Sequence, residues 1–431
     1  MRAEFKIQDG WFFMSEHLIQ PDHQDFVFDP MSSDFDRDPY PILANLREHE
    51  PVYWWPQARG WFLTRHDDIV SVLADEDRFS PNEVHWEYFI EPAEEVRNHP
   101  VLRIRDSSIL SVEGAQHARI RKLAFKALSR RAVRTIQPLM TSLIEEVMAP
   151  LRGRRECDFV TEIASPYPIG VISRLLGIPG NSDREMRFKK LADAVVVAFN
   201  PMIDEATQLR SIHLMEGYLA EIAEWMEEKR RKPTDDLMSH LVQVEHEGDR
   251  FNTDEILSLI SALLVAGAET TANSLSFGML ELLRHPDQMK RFKEDPSCRF
   301  NAAYEMVRYE MPGRFLRRYA KKDTDIRGKK VRAGQAVYIS VASAQRDPLF
   351  MPDCDQFDIT REPRDLSAFG IGRHFCIGAQ LARLEIEIAL GHFLASFEDI
   401  RLACSFEDVP FRSNPVIRGP ASIPLLFESV A

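Results

Sequence analysis

The segment FGIGRHFCIG, residues 369–378, determines how the rest of the chain is interpreted. Three glycines in ten residues predict a tightly turned loop with unusual backbone angles, and a helix is predicted to begin near Gly378. Cys376 therefore precedes a helix N-terminus, where free N–H groups and a partial positive charge favour a thiolate over a thiol. The residues alone leave three roles open for Cys376: a metal ligand, a nucleophile or a small buried apolar residue.

The remaining cysteines do not complete a disulfide or zinc framework with Cys376. The chain has five cysteines, an odd number, and no C-x-x-C pair occurs among them. These spacings disfavour a disulfide scaffold, a zinc ribbon and covalent c-type haem attachment. The Gly-x-Gly at 370–372 is similar to part of a dinucleotide-binding loop, but no strand precedes it with the third glycine in place. Spacing alone does not identify a ligand.

The composition is that of a globular protein with an acidic balance of charge. Hydrophobic residues make up 44% of the 431 residues and charged residues 28%, and the formal net charge is −13. This charge argues against attraction of the whole surface to nucleic acid or an anionic membrane, although it allows local basic patches. No apolar run reaches the roughly 18 residues of a membrane span, and the first residues lack a secretion signal pattern. We therefore expect a cytoplasmic protein without a membrane span.

Helical periodicity predominates along the chain. The longer predicted helices cover 116–128, 132–151, 181–198, 206–230, 235–246, 253–283 and 378–397. The predicted strands are short: 52–55, 60–64, 336–339 and pieces of the tail between 400 and 429. We expect an N-terminal extension over 1–27 and a single domain over 28–431. The pattern predicts a mainly α fold (α+β), with a large helical domain and a small β-rich region.

The predicted helix over 253–283 combines an apolar surface with polar residues at its centre. Asn252 precedes it as a helix-capping residue, and its roughly 30 residues would extend about 45 Å. Its first half is apolar on all sides, which predicts a core helix. Gly267, Glu269 and Thr270 lie in its middle, where a glycine and an unsatisfied carboxyl are both unfavourable. They indicate either a hydrogen-bonded polar plug at a kink or a polar site beside a buried ligand.

The segment 369–378 resembles the haem-binding loop of the cytochromes P450, whose bacterial pattern is F-G-x-G-x-H-x-C-x-G. All six fixed positions match, and the resemblance extends from about residue 28 to residue 426. Further family motifs occur in the family's order: H-x-x-x-R at 117–121, A-G-A-E-T-T at 266–271, E-x-x-R at 305–308, and an arginine, Arg318, at the position of a third propionate donor. The sequence A-Q-R-D-P at 344–348 is close to the family's A-N-R-D-P. The chain departs from the family pattern at two places: E-G-A-Q stands at 113–116 where the family usually has D-P-P-E, and Cys354 stands where it usually has a proline. Both leave details of the nearby helix and loop open.

The resemblance implies a bound haem b (iron protoporphyrin IX) with the Cys376 thiolate as the ligand of its iron. The side chains that it implies as partners of the haem propionates are His117, Arg121, Arg318 and His374. The residues that it implies beside the cofactor are Phe369, Gly370, Ala266 and Gly267. It further implies that Glu305 and Arg308 form a buried network with Arg361, although such a pair considered alone is usually a surface ion pair.

The resemblance also implies a proton relay. Thr270 would donate or relay protons through its hydroxyl, and Glu269 would feed protons from solvent. The alternative for Glu269 is a structural salt bridge. The implied activity is that of a haem-thiolate monooxygenase, which inserts one oxygen atom of O2 into a bulky apolar small molecule by hydroxylation or epoxidation, in secondary metabolism. Two other functions stay open: a peroxide-driven hydroxylase of the same fold, which the presence of Glu269 and Thr270 disfavours, and a non-catalytic haem-binding protein.

The expected partners follow from the same resemblance. No flavin or nicotinamide domain is recognised, so electrons are expected from a ferredoxin and a ferredoxin reductase. The residues predicted to form a basic docking patch are Arg119, Lys122, Lys126 and Arg373, and an ordinary solvated helix face is the alternative. The residues predicted to contact the substrate are Trp86, Phe89, Phe199, Arg314, Phe315 and Val416. Arg314 has two other possible partners, a haem propionate or a protein carboxylate, because an arginine keeps its charge wherever it lies.

Overall fold

The structure is a computed structural model that describes residues 28–89, 91, 99–127, 136–178, 187, 190–191, 194, 205–243, 245–246, 249–363, 367–412 and 416–429. Its α-helices in chain order are α1 Ser33–Arg37, α2 Tyr40–His49, α3 His66–Ala74, α4 Pro100–Asp106, α5 Gly114–Ala127, α6 Gln137–Met148, α7 Pro166–Leu175, α8 Glu205–Arg231, α9 Leu237–Gln243, α10 Thr253–Arg284, α11 Pro286–Glu294, α12 Arg299–Tyr309, α13 Val341–Ala344 and α14 Ala379–Ser396. The mainly α architecture predicted from the sequence is confirmed.

The strands form a small β-rich region beside the helices. They are β1 Val52–Trp55, β2 Gly60–Leu63, β3 Phe79–Ser80, β4 Glu156–Asp158, β5 Glu245–His246, β6 Asp249–Arg250, β7 Leu316–Ala320, β8 Thr324–Ile326, β9 Lys329–Val331, β10 Ala336–Ile339, β11 Phe397–Leu402, β12 Phe411–Arg412, β13 Gly419–Pro420 and β14 Pro424–Ser429. The largest sheet has the order β1-β2-β10-β7-β3, and a second has the order β11-β14-β4. In the first sheet β10 runs parallel to β2 and antiparallel to β7.

Some predicted elements differ from the observed ones. The helix predicted over 235–246 ends at Gln243, and the β5–β6 hairpin follows it. By contrast, the irregular pattern of residues 80–110 predicts a long loop with one short helix, and α4 is a short helix within that range. The π-helix Val160–Ala164 and α7 lie in a segment for which the sequence patterns predict no element. Most of the helix predicted over 181–198 lies outside the described residues.

Helix α10 passes through the core, as its apolar first half predicts. Its N-terminus has a capping box, in which the Glu255 N–H donates to Asn252 Oδ1 at 2.8 Å and the Asn252 N–H donates to Glu255 Oε2 at 3.0 Å. Within the described part of the chain it is the one helix long and apolar enough to cross a membrane, but 67% of its most apolar window is buried inside the protein. This burial is typical of the core helix of a globular fold.

The E-x-x-R pair forms the buried network that the resemblance implied. The Glu305 and Arg308 side chains are completely buried, and Arg308 Nε donates to Glu305 Oε2 at 2.6 Å. Arg308 Nη1 also donates to the carbonyl oxygens of Gln345 and Cys354, at 2.9 and 2.8 Å. Arg361 Nε reaches Glu305 Oε1 at 3.3 Å, which confirms Arg361 as the third member.

Contacts near the two ends of the described chain join α1 to the segment before β13. Arg418 Nε donates to the Asp36 carbonyl oxygen at 2.5 Å, and its Nη1 donates to Glu310 Oε2 at 2.5 Å. Arg418 Nη2 adds a bond to the Arg37 carbonyl oxygen at 2.6 Å. All four side chains of Asp36, Glu310, Arg314 and Arg418 are buried. Two acidic and two basic residues thus share one low-dielectric site, where each needs its partners.

Another buried carboxyl, that of Glu385, lies between α7 and α14, and among the described residues no cation forms an ion pair with it. Glu385 on α14 is buried, and neither its Oε2 nor the Tyr167 hydroxyl on α7 has a hydrogen-bond partner within the described residues. Burial raises the pKa of Glu385 well above its usual range, and burial followed by the nearby Glu385 carboxyl raises the pKa of Tyr167. We therefore expect Glu385 to be a neutral carboxylic acid in the folded protein.

A neutral Glu385 predicts a specific pH dependence of stability. Its folded pKa lies above its unfolded pKa, so its contribution is complete below about pH 4.5 and is lost as the pH rises. Above about pH 4.5 the unfolded state ionises while the folded state does not, which lowers the free energy of unfolding by up to about 1.4 kcal/mol per pH unit. We expect Glu385→Gln to remove this loss when urea unfolding is measured from pH 5 to pH 8.

The matched control is Glu398→Gln on β11, where the carboxyl is exposed. This variant should follow the wild type at every pH. If the wild type and Glu385→Gln lose stability in parallel over this range, Glu385 titrates as an ordinary carboxyl and the prediction is wrong.

Candidate active site

The cysteine loop has the turned backbone that its glycines predict. Gly370 and Gly372 have φ angles of +84° and +73°, a region that favours glycine. The Cys376 N–H donates to the Phe369 carbonyl oxygen at 2.9 Å, which closes the loop immediately before α14. Cys376 is open to solvent on one side, while the atoms packed around its sulfur raise the pKa of the thiol by desolvation. The N–H groups of Gly378 and Ala379 and the charge of Arg121 act in the opposite direction and favour the thiolate.

Four basic side chains from three parts of the chain converge near Cys376. His117 and Arg121 lie on α5, Arg318 lies on β7 and His374 belongs to the cysteine loop. The rings of His117 and His374 are 4.0 Å apart, and His117 Nε2 is buried without a hydrogen-bond partner. Burial, followed by His117, Arg318 and Arg121, lowers the pKa of His374 to about 3. Burial lowers the pKa of Arg318 to about 10.

These groups fit an anionic ligand. In the described part of the chain no carboxylate forms an ion pair with Arg121 or Arg318, and His117 Nε2 lacks a hydrogen-bond partner. Buried like charges repel one another unless a negative group lies between them, and charge-assisted hydrogen bonds to carboxylates are among the strong ones. A haem supplies two propionate carboxylates and an iron that accepts a thiolate, so the residues present fit this group.

The polar centre of α10 is satisfied within the protein. The Thr270 hydroxyl donates to the Ala266 carbonyl oxygen. The Ala266 side chain is exposed on a helix that is otherwise largely buried. Glu269 Oε2 lies 3.7 Å from Arg412 Nη1 of β12, in the geometry of a salt bridge. Glu269 therefore takes part in a salt bridge, which by itself does not decide between a structural and a proton-feeding role, and Arg412 is a residue that no local sequence pattern indicated.

Two of the predicted substrate contacts, Arg314 and Phe315, have partners within the protein, and of these two only Arg314 requires a correction. The Arg314 guanidinium contacts Asp36 and donates to the Pro30 carbonyl oxygen at 2.5 Å, so the protein-carboxylate alternative is the one observed. The prediction that Arg314 contacts substrate is corrected, because Asp36 neutralises its charge in the protein interior. Phe315 packs its ring against Trp55 and Tyr338, at centroid distances of 5.6 and 5.4 Å, as part of an aromatic cluster.

The other predicted substrate contacts are less constrained. Trp86 packs edge-on against Tyr88, with ring centroids 5.6 Å apart. Phe89 lines a cavity of about 610 Å³ between its own loop and α4. Val416 is 40% exposed, and Phe199 lies outside the described residues. A cavity of about 710 Å³ lies away from Cys376, between α2 and the C-terminal ends of α10 and α12.

The predicted basic patch is partly neutralised. Arg119 forms a salt bridge with Glu255, and Arg373 forms one with Glu76 at 3.3 Å. Lys122 is exposed, and the side chain of Lys126 lies outside the described residues. Exposed ion pairs contribute little to stability, and their cations still add to the local potential.

Comparison with known proteins gives a consistent result. The family model for Cytochrome P450 matches residues 84–296 and 301–418. The epothilone C/D epoxidase of Sorangium cellulosum is 31% identical over 411 residues, which cover 94% of this chain and 96% of that protein. The cytochrome P450 monooxygenase PikC of Streptomyces venezuelae is 35% identical and covers 92% of both chains. The solved structure of the cytochrome P450 PksS of the Bacillus subtilis 168 bacillaene polyketide synthase superposes with a TM-score of 0.84, at 30% identity, over 93% of this chain and 100% of that chain.

The glycine at the centre of α10 gives a prediction about stability. A Cβ at Gly267 would meet Ile172 Cδ1 at 3.6 Å, which is an ordinary contact, so we expect Gly267→Ala to raise the free energy of unfolding of the haem-free protein by about 0.5–1 kcal/mol. The control is Gly278→Ala on the same helix, where a Cβ would lie 2.7 Å from Met306 Sδ and should lower stability. Urea unfolding of both variants is the measurement. If Gly267→Ala instead lowers the free energy of unfolding, the added methyl group does not fit beside Ile172 and the prediction is wrong.

Proposed function

The chain belongs to the cytochrome P450 family, and from this premise we propose that Cys376 provides the thiolate ligand of its haem. The protein is an oxidoreductase, a haem-containing monooxygenase that hydroxylates or epoxidises its substrate. When bound, the haem supplies the activation of O2, and a thiolate ligand favours cleavage of the O–O bond. The observation that carries the proposal is the position of Cys376 at the N-terminus of α14, within the electrostatic reach of Arg121.

The basic groups around the cysteine loop are proposed to hold the propionates. His117, Arg121, Arg318 and His374 would each donate to a carboxylate, which would remove their mutual repulsion. We further propose that Phe369 and Gly370 of the loop and Ala266 and Gly267 of α10 would contact the cofactor. The support for these roles is the convergence of the four basic side chains and the exposure of Ala266 on a buried helix.

Thr270 and Glu269 are proposed to deliver protons. The Thr270 hydroxyl can hold a proton on Oγ1, donate it to the Ala266 carbonyl oxygen at rest, and turn it toward the reacting centre when needed. Glu269 lies one residue away and is 13% exposed in its side chain, so its carboxylate can exchange protons with solvent. Because both residues are present, the peroxide-driven alternative has less support than an O2-dependent reaction.

The proposed substrate is a bulky apolar secondary metabolite. Trp86, Phe89 and Val416 would supply apolar contacts, and Phe199 is proposed with them from its sequence position alone. Support comes from relatives whose names include an epothilone epoxidase and a polyketide biosynthesis P450. We propose a cytoplasmic enzyme that receives electrons from a ferredoxin and its reductase. Exposed Lys122 and Arg373 would contribute to the docking surface for an acidic donor.

The thiolate ligand gives the direct test of the proposed function. We expect the reduced protein with carbon monoxide to show the far-red-shifted Soret band of a thiolate-ligated haem. Cys376→Ala should lose that band. Cys404→Ala, which removes a partly exposed cysteine two residues after β11, should keep it. Persistence of the band in Cys376→Ala would contradict the ligand assignment.

The proton relay gives a second test. The surrogate substrate is the member of a macrolide, steroid and fatty-acid panel that produces the largest spin-state shift in the wild-type haem. We expect Thr270→Ala to bind it with unchanged affinity but to form at least about tenfold less product per electron. A positioned proton donor typically contributes roughly 100-fold or more to the rate. The expected loss is smaller because a water molecule can partly take over proton donation from the missing hydroxyl. The lost electrons should appear as peroxide or water.

The control for this test is Ser276→Ala, which removes another hydroxyl that donates to a carbonyl oxygen of α10. It should retain the wild-type product per electron. Equal product yields in Thr270→Ala and the wild type would exclude a relay role for Thr270.

A further inference from the structure

The salt bridge between Glu269 and Arg412 joins the polar centre of α10 to the β12–β13 hairpin. Glu269 Oε2 and Arg412 Nη1 are 3.7 Å apart, and the two side chains are 13% and 31% exposed. Arg412 Nη2 also donates to Asn273 Oδ1 at 3.4 Å. Asn273 in turn donates from Nδ2 to the Glu269 carbonyl oxygen at 2.8 Å. Arg412 therefore contacts both the Glu269 side chain and the residue that bonds to its backbone.

The position of Arg412 is fixed by a close approach of the hairpin to α10. Arg412 pairs with Gly419 across the hairpin, and a Cβ at Gly419 would lie only 1.7 Å from Asn273 Oδ1. The backbone of β13 thus rests directly on α10. The Phe411 and Phe277 rings add an apolar contact with centroids 6.1 Å apart. The hairpin is therefore held against the helix independently of the charges of Glu269 and Arg412.

The length of the salt bridge suits a carboxylate that has to change its protonation state. A separation of 3.7 Å is longer than a hydrogen bond, so Arg412 acts on Glu269 mainly through its charge. A bidentate pair would hold the carboxylate ionised and immobile. A partly exposed, longer pair orients the carboxylate and still permits exchange of a proton with solvent.

We propose that Arg412 is a positioning residue that orients the Glu269 carboxylate for proton delivery. This inference rests on the proposed role of Glu269 in the function above. Arg412 itself touches neither substrate nor cofactor in the proposal and acts only through Glu269. Replacing Arg412 should therefore change the product formed per electron and the solvent isotope effect, and it should leave substrate affinity unchanged.

The first experiment compares product per electron with the surrogate substrate in haem-loaded Arg412→Met, Arg412→Lys and Glu269→Gln. We expect Arg412→Met to lose about three- to tenfold and Arg412→Lys to recover at least half of that loss, because a lysine keeps the charge. The solvent deuterium isotope effect on product formation should increase in Arg412→Met, and spin-state titrations should give affinities within about twofold of the wild type. Arg401→Met, which removes an exposed arginine of β11, is the matched control and should behave as the wild type.

The second experiment does not depend on activity. Urea unfolding of the haem-loaded wild type, Glu269→Gln, Arg412→Met and the double variant forms a double-mutant cycle. We expect the unfolding equilibrium constant of the double variant to differ from the additive value by about two- to fivefold, as for a partly exposed ion pair. Additive effects would overturn the contact on which the inference depends.

The results for Glu269→Gln and Arg412→Met distinguish an error in the role of Arg412 from an error in the role of Glu269. If Glu269→Gln lowers product per electron while Arg412→Met changes neither product yield nor isotope effect, the positioning role of Arg412 is wrong and the proposed relay stands. If Glu269→Gln retains normal product per electron, the role of Glu269 is wrong and the inference about Arg412 is overturned with it. A loss in Arg412→Met that Arg412→Lys does not recover would also overturn the inference, because charge would not be the cause.

Discussion

The buried pair of Glu305 and Arg308 is the interaction on which the rest of the structure depends. Removing one partner of such a pair leaves an uncompensated charge and typically costs about 3–5 kcal/mol. Arg308 also satisfies carbonyl oxygens in the segment 345–356, which has little regular secondary structure to do so. The cysteine loop follows that segment, and its Phe369 ring lies 6.1 Å from Tyr304 of the same helix. One helix therefore supports both the irregular segment and the loop that carries the candidate ligand.

Two kinds of buried charge distinguish the scaffold from the site. Around Arg308 each charged group has a partner within the protein, so the network needs no ligand. Around Cys376, by contrast, Arg121 and Arg318 have no carboxylate partner in the described part of the chain, and Nε2 of His117 lacks a hydrogen-bond partner there. Strongly perturbed groups without internal compensation are typical of functional sites. The low-dielectric interior thus strengthens the ion pairs around Arg308, whereas the basic groups around Cys376 need an anionic ligand.

The sequence predicted the parts of this fold that local patterns specify. Helix α10 begins and ends within one residue of the prediction, because the capping Asn252 and the following Pro286 are strong local signals. The glycine-rich turn before α14 was predicted for the same reason. The contact of Arg412 with Glu269 was not, because it joins distant segments and depends on the seating of a short hairpin. The partner of Arg314 remained one of three alternatives, since a charge alone does not specify which anion lies beside it.

The bonds from Arg418 to Asp36 and Glu310 also have a consequence for synthesis in the cell. The bond between Arg418 and Asp36 joins residues 382 positions apart, so it forms only after the chain up to Arg418 has left the ribosome. Until then Glu310 has Arg346 as its nearby cation, at 3.8 Å, and the carbonyl oxygens of Asp36 and Arg37 lack the Arg418 guanidinium that donates to them. Contacts of such long range slow folding. A chain synthesised only as far as Ile417 therefore lacks the guanidinium that joins α1 to Glu310, so the native contacts of α1 are completed late in synthesis.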